Sequence, residues 1–236
     1  MPNPVIIIVG AGPGVGAATA RKFAAAGYDI GLLARNAKRL EEFANELEKA
    51  GANVGWAAVD IADPVALDAT LRRMTDQTGR VDVLVHNVSA FRPVRATELT
   101  VEELLADLGV GAASLLTAVQ AVLPILREQR TGTIIATGSG AADHPNVEAA
   151  SLGMQKAALR NLIQVLAAEL SGDGIHVATL TVRGSIADGT PFSADNIAEV
   201  FAGLVAETST DQANWHTLLN LTKDGVSQLT QSGVVQ

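Results

Sequence analysis

A cluster of glycines near the beginning of the chain has the spacing of a phosphate-binding turn. Gly10, Gly12, Gly14 and Gly16 lie within one short segment, with Val15 between the last two. Glycine lets the backbone approach a pyrophosphate closely, and a helix that begins at such a turn offers free N–H groups and a favourable dipole. The cluster follows an apolar stretch and precedes an alanine-rich one, which favours dinucleotide binding. The alternative is a tight turn that binds nothing.

The elements that must position this turn alternate between strands and helices. Apolar runs predict six strands, at Val5–Val9, Asp29–Ala34, Val54–Val59, Val81–His86, Thr133–Thr137 and Ile175–Leu180. Helices are predicted at Gly14–Ala26, at Ala37–Ala50, from Pro64 with Asp63 as its cap, at Val101–Arg130 as one or two helices, and at Ala149–Leu170. This alternation predicts an α/β protein with a doubly wound parallel sheet in three α/β/α layers, the Rossmann fold.

The last part of the chain has a weaker pattern. Residues 183–214 predict a mixture of loop and helix, and Trp215–Leu221 is predicted to form a last strand at the edge of the sheet. Because no linker or repeat interrupts the chain, we expect a single domain over residues 1–236.

Composition and charge favour some classes of partner over others. Hydrophobic residues make up 48% of the chain and the mean hydropathy is +0.25, which leaves apolar surface for a homodimer or homotetramer interface. The net charge of −8 provides no basic surface for nucleic acid or an anionic membrane, and the apolar run Pro4–Val9 is too short to span a bilayer. Cysteine is absent and the four histidines lack ligand spacing, so we expect no metal and a cytoplasmic location.

Further segments resemble the short-chain dehydrogenase/reductase family, in the family's order. The turn has that family's spacing, Gly10-xxx-Gly14-Val15-Gly16. The other matches are Val59-Asp60, Leu84-Val85-His86-Asn87-Val88-Ser89, the strand from Gly132 to Ser139, Lys156 at 17 residues after Ser139, and Gly174-Ile175-His176-Val177. The resemblance runs along nearly the whole chain, and it implies the Rossmann fold and a nicotinamide cofactor.

The resemblance also implies which side chains border the cofactor and the substrate. Lys156 would bind the ribose hydroxyls of the nicotinamide half, although an exposed helix lysine is the alternative. Residues 183–214 would cap the substrate pocket. The other implied cofactor contacts beyond the glycine turn are Asp60, Ile61, Asn87, Gly184 and Ile186.

The end of the second strand indicates which cofactor is used. An NAD enzyme usually has an acidic residue there, which binds the ribose hydroxyls and repels a 2′-phosphate. The segment Leu33-Ala34-Arg35-Asn36 has no acid, and Arg35 resembles the arginine that selects NADP in this family. We therefore expect NADP(H), with a solvated arginine at a helix start as the alternative.

The catalytic pattern of the family is incomplete. Its tyrosine, which exchanges a proton with the substrate oxygen, falls on Leu152, and leucine cannot exchange a proton. The family's asparagine on the central helix falls on Gly111, and the Pro-Gly after strand six is replaced by Arg183-Gly184, where the arginine can meet a phosphate or a substrate carboxylate. Ser139 would still orient a substrate carbonyl, and His144 is the candidate replacement acid; a plain loop serine and a surface histidine are the alternatives.

Two functions follow from this pattern. The first is an NADP(H)-dependent oxidoreductase acting on a small carbonyl, alcohol or enone, with Ser139, Lys156 and His144 as catalytic residues. The second is a non-redox protein on the same scaffold, either a cyclase or isomerase or a cofactor-binding regulatory protein, because Leu152 replaces the tyrosine.

Overall fold

The sheet has eight strands, of which seven are parallel. A computed structural model describes residues 2–229, and the strand order across the sheet is β3-β2-β1-β4-β5-β6-β7-β8. Only β8 runs antiparallel, against β7. The strands are β1 (Val5–Val9), β2 (Asp29–Ala34), β3 (Val54–Ala58), β4 (Val83–His86), β5 (Gly132–Ser139), β6 (Ile175–Val182), β7 (Leu218–Thr222) and β8 (Gly225–Gln228).

Helices cover both faces of this sheet. They are α1 (Val15–Ala25), α2 (Ala37–Lys49), α3 (Pro64–Thr78), α4 (Val101–Leu108), α5 (Ser114–Gln129), α6 (Ala150–Leu170) and α7 (Ala194–Glu207). Alternate residues of β1 reach opposite cores: Ile7 packs with α3, α5 and α6, whereas Ile8 packs with α1, α2 and α7. The predicted three-layer Rossmann fold is therefore confirmed.

The strand order reverses between β1 and β4. β1 pairs with β2 on one side and with β4 on the other. In doubly wound sheets, ligands bind in the crevice that forms beyond the carboxyl ends of the strands at such a reversal. The turn after β1 and the loops after β4, β5 and β6 all meet at this edge.

The carboxy-terminal part differs from the sequence prediction in two ways. Trp215–Leu221 was predicted as the edge strand, but β7 lies between β6 and β8, and the short antiparallel β8 forms the edge. The segment 183–214, expected to cap a pocket, contains α7, whose Ile197 and Phe201 are fully buried in the core shared with α1. Within residues 183–214, only the part before α7 lies beyond the carboxyl ends of the strands, where it can border a ligand.

One long helical segment joins α4 and α5. A π-helical turn, Gly109–Ala113, connects the two helices, so that Val101–Gln129 runs without a break. By length and composition this is the one segment among residues 2–229 able to cross a membrane, yet only 39% of its most apolar window is buried within the chain. Core helices of soluble proteins can meet the same criterion. Much of this helix is therefore apolar surface.

Candidate functional site

The turn after β1 requires glycine at its first position. Gly10 adopts a φ of 92°, and a Cβ built on it would lie 2.2 Å from the carbonyl oxygen of Asn87. Its N–H donates to the carbonyl of Leu33, at 2.9 Å. Gly16 also packs closely, since a Cβ there would lie 2.5 Å from the carbonyl oxygen of Gly10. These contacts hold the start of α1 tightly against the end of β1.

The two middle glycines face open space instead. A Cβ on Gly12 or Gly14 would meet nothing within 4 Å. The first turn of α1 has no side-chain cap and no acidic residue. The N–H of Ala17 donates to the carbonyl of Gly12, at 3.1 Å, whereas the N–H groups of Val15 and Gly16 have no acceptor among the described residues and are available, with the positive dipole end, to an anion. A narrow open cradle over an uncapped helix start fits the pyrophosphate of a dinucleotide.

A groove of about 650 Å³ extends from this cradle along the carboxyl ends of β1, β2 and β4. Nine of the twelve predicted cofactor residues line it: Gly10, Gly12, Gly14, Val15, Arg35, Asp60, Ile61, Asn87 and Ile186. The other three do not: Gly16 lies behind the turn, and Lys156 and Gly184 lie outside the groove.

Asn87 connects three strands at the centre of the groove. Its side-chain nitrogen donates to the carbonyl of Gly10, at 3.1 Å, and its side-chain oxygen accepts from the hydroxyl of Thr137, at 2.9 Å. Both ends of the amide are thus occupied by the protein. Asn87 therefore holds the glycine turn in register with β5 as well as bordering the groove.

A second arginine accompanies Arg35 at the far end of the groove. Arg35 and Arg39 line an adjoining hollow of about 600 Å³. Within residues 2–229 neither arginine forms an ion pair, whereas the nearby Arg21 pairs with Glu46 at 2.8 Å. Sequence reasoning missed Arg39, although its position four residues after Arg35, in the first turn of α2, was the available signal. Two guanidinium groups without ion pairs among the described residues, one just after β2 and one in the first turn of α2, suit a phosphate.

Lys156 is buried beneath the site. Its ammonium donates to the carbonyls of Thr137, at 2.7 Å, and Val88, at 2.9 Å, and the residue is only 5% exposed. Burial lowers the pKa of Lys156 to about 8. Three N–H groups are present and two have protein acceptors, so one donor remains for another group.

His86 lies fully buried near Lys156. Ser114 uses its hydroxyl hydrogen for the carbonyl of Val110, at 2.6 Å, so the 2.8 Å contact with His86 has Nε2–H of the imidazole as the donor. Nδ1 then carries a lone pair, and no residue within 2–229 donates to it. Burial, and then the charge of Lys156, lower the pKa of His86 to about 3. The imidazole is therefore neutral at physiological pH.

The low pKa of His86 makes the free energy of unfolding depend on pH. Between pH 6.5 and pH 3 the unfolded chain protonates His86 and the native protein does not, so stability falls as the pH falls. We expect urea denaturation to show that the wild type loses about 2 kcal/mol more than His86→Asn between pH 7.5 and pH 5. Equal losses in the two proteins would mean that His86 does not titrate in this way.

Ser139 and His144 line a second cavity beside the groove. Its volume is about 450 Å³, and Arg183 and Gly184 lie on its wall. The hydroxyl oxygen of Ser139 accepts from the N–H of Ala141, at 3.2 Å. The hydroxyl hydrogen has no acceptor among the described residues and can be donated to a ligand. The structure thus brings Ser139 and His144 together, with Lys156 buried below β5.

Leu152 occupies the first turn of α6, one turn before Lys156. Packing against α6 also explains why position 111 is a glycine. A Cβ on Gly111 would lie 2.1 Å from Oε1 of Gln155, so the glutamine side chain occupies the space that a larger residue would need. Gln155 is fully buried and exchanges two 3.0 Å hydrogen bonds with the backbone of Ala90. Sequence reasoning missed this pairing of Gly111 with Gln155.

An ion-pair network supports the wall around α4 and α6. Arg92 binds Asp107 through two hydrogen bonds of 2.9 and 3.0 Å. Asp107 is 3% exposed and also accepts from the hydroxyl of Ser151, at 2.7 Å. The guanidinium of Arg92 and the hydroxyl of Ser151 lower the pKa of Asp107. This network ties the loop after β4 to the start of α6, next to Leu152.

Comparison with known proteins gives a consistent family. A family model described as short chain dehydrogenase matches residues 4–194. An uncharacterised oxidoreductase of Staphylococcus epidermidis is 29% identical over 223 residues, which cover 91% of this chain and 96% of that protein. Sulfoacetaldehyde reductase 2 of Chromohalobacter salexigens is 29% identical over 219 residues, covering 84% of this chain and 86% of that protein. The crystal structure of a metagenomic short-chain oxidoreductase in complex with NADP superposes with a TM-score of 0.83 at 26% identity, covering 94% of this chain and 98% of that one.

Proposed function

Because this chain belongs to the short-chain dehydrogenase/reductase superfamily, we propose that it is an NADP(H)-dependent oxidoreductase acting on a small carbonyl, alcohol or enone. One observation carries the proposal. The open cradle at Gly12 and Gly14 leads into a groove lined at its far end by Arg35, and the adjoining hollow is lined by Arg35 and Arg39. Such a groove suits a phosphorylated dinucleotide, and a cavity with a free hydroxyl donor adjoins it.

Some residues of the chain would bind the cofactor, and others would orient the substrate. The start of α1 would hold the pyrophosphate, and Arg35 with Arg39 would hold a 2′-phosphate. The cofactor, when bound, supplies or accepts hydride. Ser139 would donate a hydrogen bond to the substrate oxygen and so stabilise negative charge that develops there. Leu152 cannot deliver a proton, so water or His144 would do so.

Relatives support the redox reading over the alternative of a cyclase, isomerase or regulatory protein. The two curated relatives described above are named as an oxidoreductase and a reductase. The metagenomic neighbour, at 26% identity, binds NADP. Leu152 is the observation that favours the non-redox candidate, because the proton-transfer position has no titratable group.

A cofactor-consumption assay tests the proposal. The purified protein is incubated with NADPH and a panel of aldehydes, ketones and enones, and the nicotinamide absorbance is followed. Loss of absorbance with at least one panel member supports the oxidoreductase. Binding of NADPH without consumption across the panel would favour the non-redox candidate.

Cellular location and partners complete the proposal. A chain without cysteine suits a reducing cytoplasm, and we propose that location. We propose a small molecule as substrate and no nucleic-acid partner, since the net charge is −8.

We also expect a homodimer or homotetramer. Large apolar side chains are exposed on the long helical segment and on α6, including Leu105 at 63% and Val165 at 54%. Burying such a surface against a second copy removes it from water, which stabilises an assembly. Light scattering at micromolar concentration should give two or four times 24.3 kDa. A mass near 24.3 kDa would show a monomer and contradict this expectation.

A further inference from the structure

Two arginines and one aspartate form an unbalanced charge cluster beside the Ser139 cavity. The two carboxylate oxygens of Asp143 lie 2.6 Å from Nη2 of Arg160 and 2.7 Å from Nη2 of Arg183. Arg160 and then Arg183 hold the pKa of Asp143 below its usual value, so the carboxylate stays ionised. Within residues 2–229 neither guanidinium pairs with another carboxylate. The cluster therefore carries one excess positive charge, in a chain whose net charge is −8.

The guanidinium of Arg183 is held in place but only partly used. Its Nε donates to Oδ1 of Asn220, at 2.8 Å, and its Nη2 donates to Asp143. Two of its five N–H groups are thereby occupied. The remaining three belong to Nη1 and Nη2, and no described residue accepts from them. Nη1 and Nη2 of a guanidinium together can bind a carboxylate through two parallel hydrogen bonds.

Arg183 stands directly beside the candidate catalytic serine. It follows β6, and the last residue of that strand is in register with Ser139, the last residue of β5. A Cβ on Gly140 would lie only 3.5 Å from Cα of Arg183. The side chain of Arg183 is 23% exposed and lines the 450 Å³ cavity together with Ser139 and His144. A small ligand in this cavity can therefore meet a hydroxyl donor and a guanidinium at once.

We infer that the substrate carries an oxyanion group, a carboxylate or sulfonate, next to its reacting carbonyl, and that Arg183 binds this group. The inference rests on the proposed oxidoreductase function for the reacting carbonyl, whereas the anion site depends on the charge cluster alone. Asp143 and Asn220 orient the guanidinium before the substrate arrives, which reduces the entropy lost on binding. Asp143 cannot neutralise Arg183 because it is shared with Arg160. Nη1 of Arg160 is itself buried and has no acceptor within residues 2–229.

Binding measurements test the anion site without any need for turnover. Pyruvate, methyl pyruvate and sulfoacetate are titrated by calorimetry into the protein, with and without NADPH. We expect the wild type to prefer pyruvate or sulfoacetate to the neutral ester, and Arg183→Leu to reduce that preference about 10- to 100-fold. Arg183→Lys keeps the positive charge but lacks the planar guanidinium, so its preference for the anion should lie between those of the wild type and Arg183→Leu. Arg73→Leu, at an exposed arginine of α3, is the matched control and should leave the preference unchanged.

The outcomes separate this inference from the proposed function. Anion binding lost in Arg183→Leu, without NADPH consumption on any carbonyl, would support the anion site and overturn the oxidoreductase. NADPH consumption with no preference for the anion in the wild type, or the same preference in Arg183→Leu, would overturn the anion site alone. If Arg183→Leu instead weakens NADPH binding and leaves anion binding intact, Arg183 is a cofactor ligand and the inference is wrong.

Discussion

Replacing Leu152 with tyrosine is expected to raise carbonyl reduction at least about tenfold. Leu152 lies four residues before Lys156 in α6, so a phenol there shares the helix face of the lysine. The positive charge of Lys156 lowers the pKa of a nearby phenol, which can then protonate the substrate oxygen as negative charge develops on it. General acid catalysis of this kind is typically worth about 100- to 10,000-fold, and an imperfect fit of the new side chain reduces the gain.

Leu152→Phe is the matched control, since it adds the same ring without the hydroxyl. We expect similar NADPH affinity in both variants and a gain in kcat/KM only with tyrosine, measured on the carbonyl panel. A folded Leu152→Tyr variant that binds NADPH but shows no gain on any carbonyl would contradict the idea that the protein is a reductase lacking only its acid. Gly111 with Gln155, Arg183, or the loop of His144 would then have adapted the cavity to other chemistry.

NADPH is expected to bind at least about tenfold more tightly than NADH. No carboxylate stands at the end of β2 to bind the ribose hydroxyls, and Arg35 and Arg39 are free of ion pairs within the described residues. A charge-assisted contact with a phosphate is worth about 1.5–3 kcal/mol, which corresponds to roughly 10- to 100-fold in affinity. Calorimetry with both cofactors measures the ratio directly.

Substitutions of Arg35 and Arg39 test whether these two arginines cause the preference for NADPH over NADH. Arg35→Ala is expected to lower the NADPH to NADH affinity ratio about tenfold, and adding Arg39→Ala should lower it further. Arg21→Ala is the control, because this arginine lines the same hollow but is already paired with Glu46. Equal affinities for the two cofactors in the wild type would show that Arg35 is only a surface charge.

The sheet and the glycine turn could be predicted because their signals are local. The apolar run of β1, the glycines that follow it and the capped start of α3 at Asp63 each depend on residues close in sequence. The order of the strands then follows from the short crossovers and their handedness. The same reasoning identified residues, among them Asp60 and Ile186, that the structure brings to one groove.

The remaining features depend on contacts between distant residues. Arg183 meets Asp143 and Asn220 across about 40 positions of sequence, so its orientation and spare donors could not be read from its neighbours. Gly111 and Gln155 are paired in the same way, by the packing of two helices. β8 is short and all four of its residues are exposed, so no buried face imposes the apolar alternation that marks a strand in sequence.

Transfer of deuterium from NADPH that carries deuterium at both C4 positions of the nicotinamide is the most direct test of the proposed oxidoreductase. The labelled cofactor is incubated with the protein and with each carbonyl of the panel, and the products are analysed by mass spectrometry. We expect a product that carries one deuterium, at the former carbonyl carbon of an aldehyde or ketone or at the β-carbon of an enone reduced at its double bond, and no labelled product without the protein. If calorimetry shows that NADPH binds but no product on the panel acquires deuterium, the protein is not an oxidoreductase for such substrates.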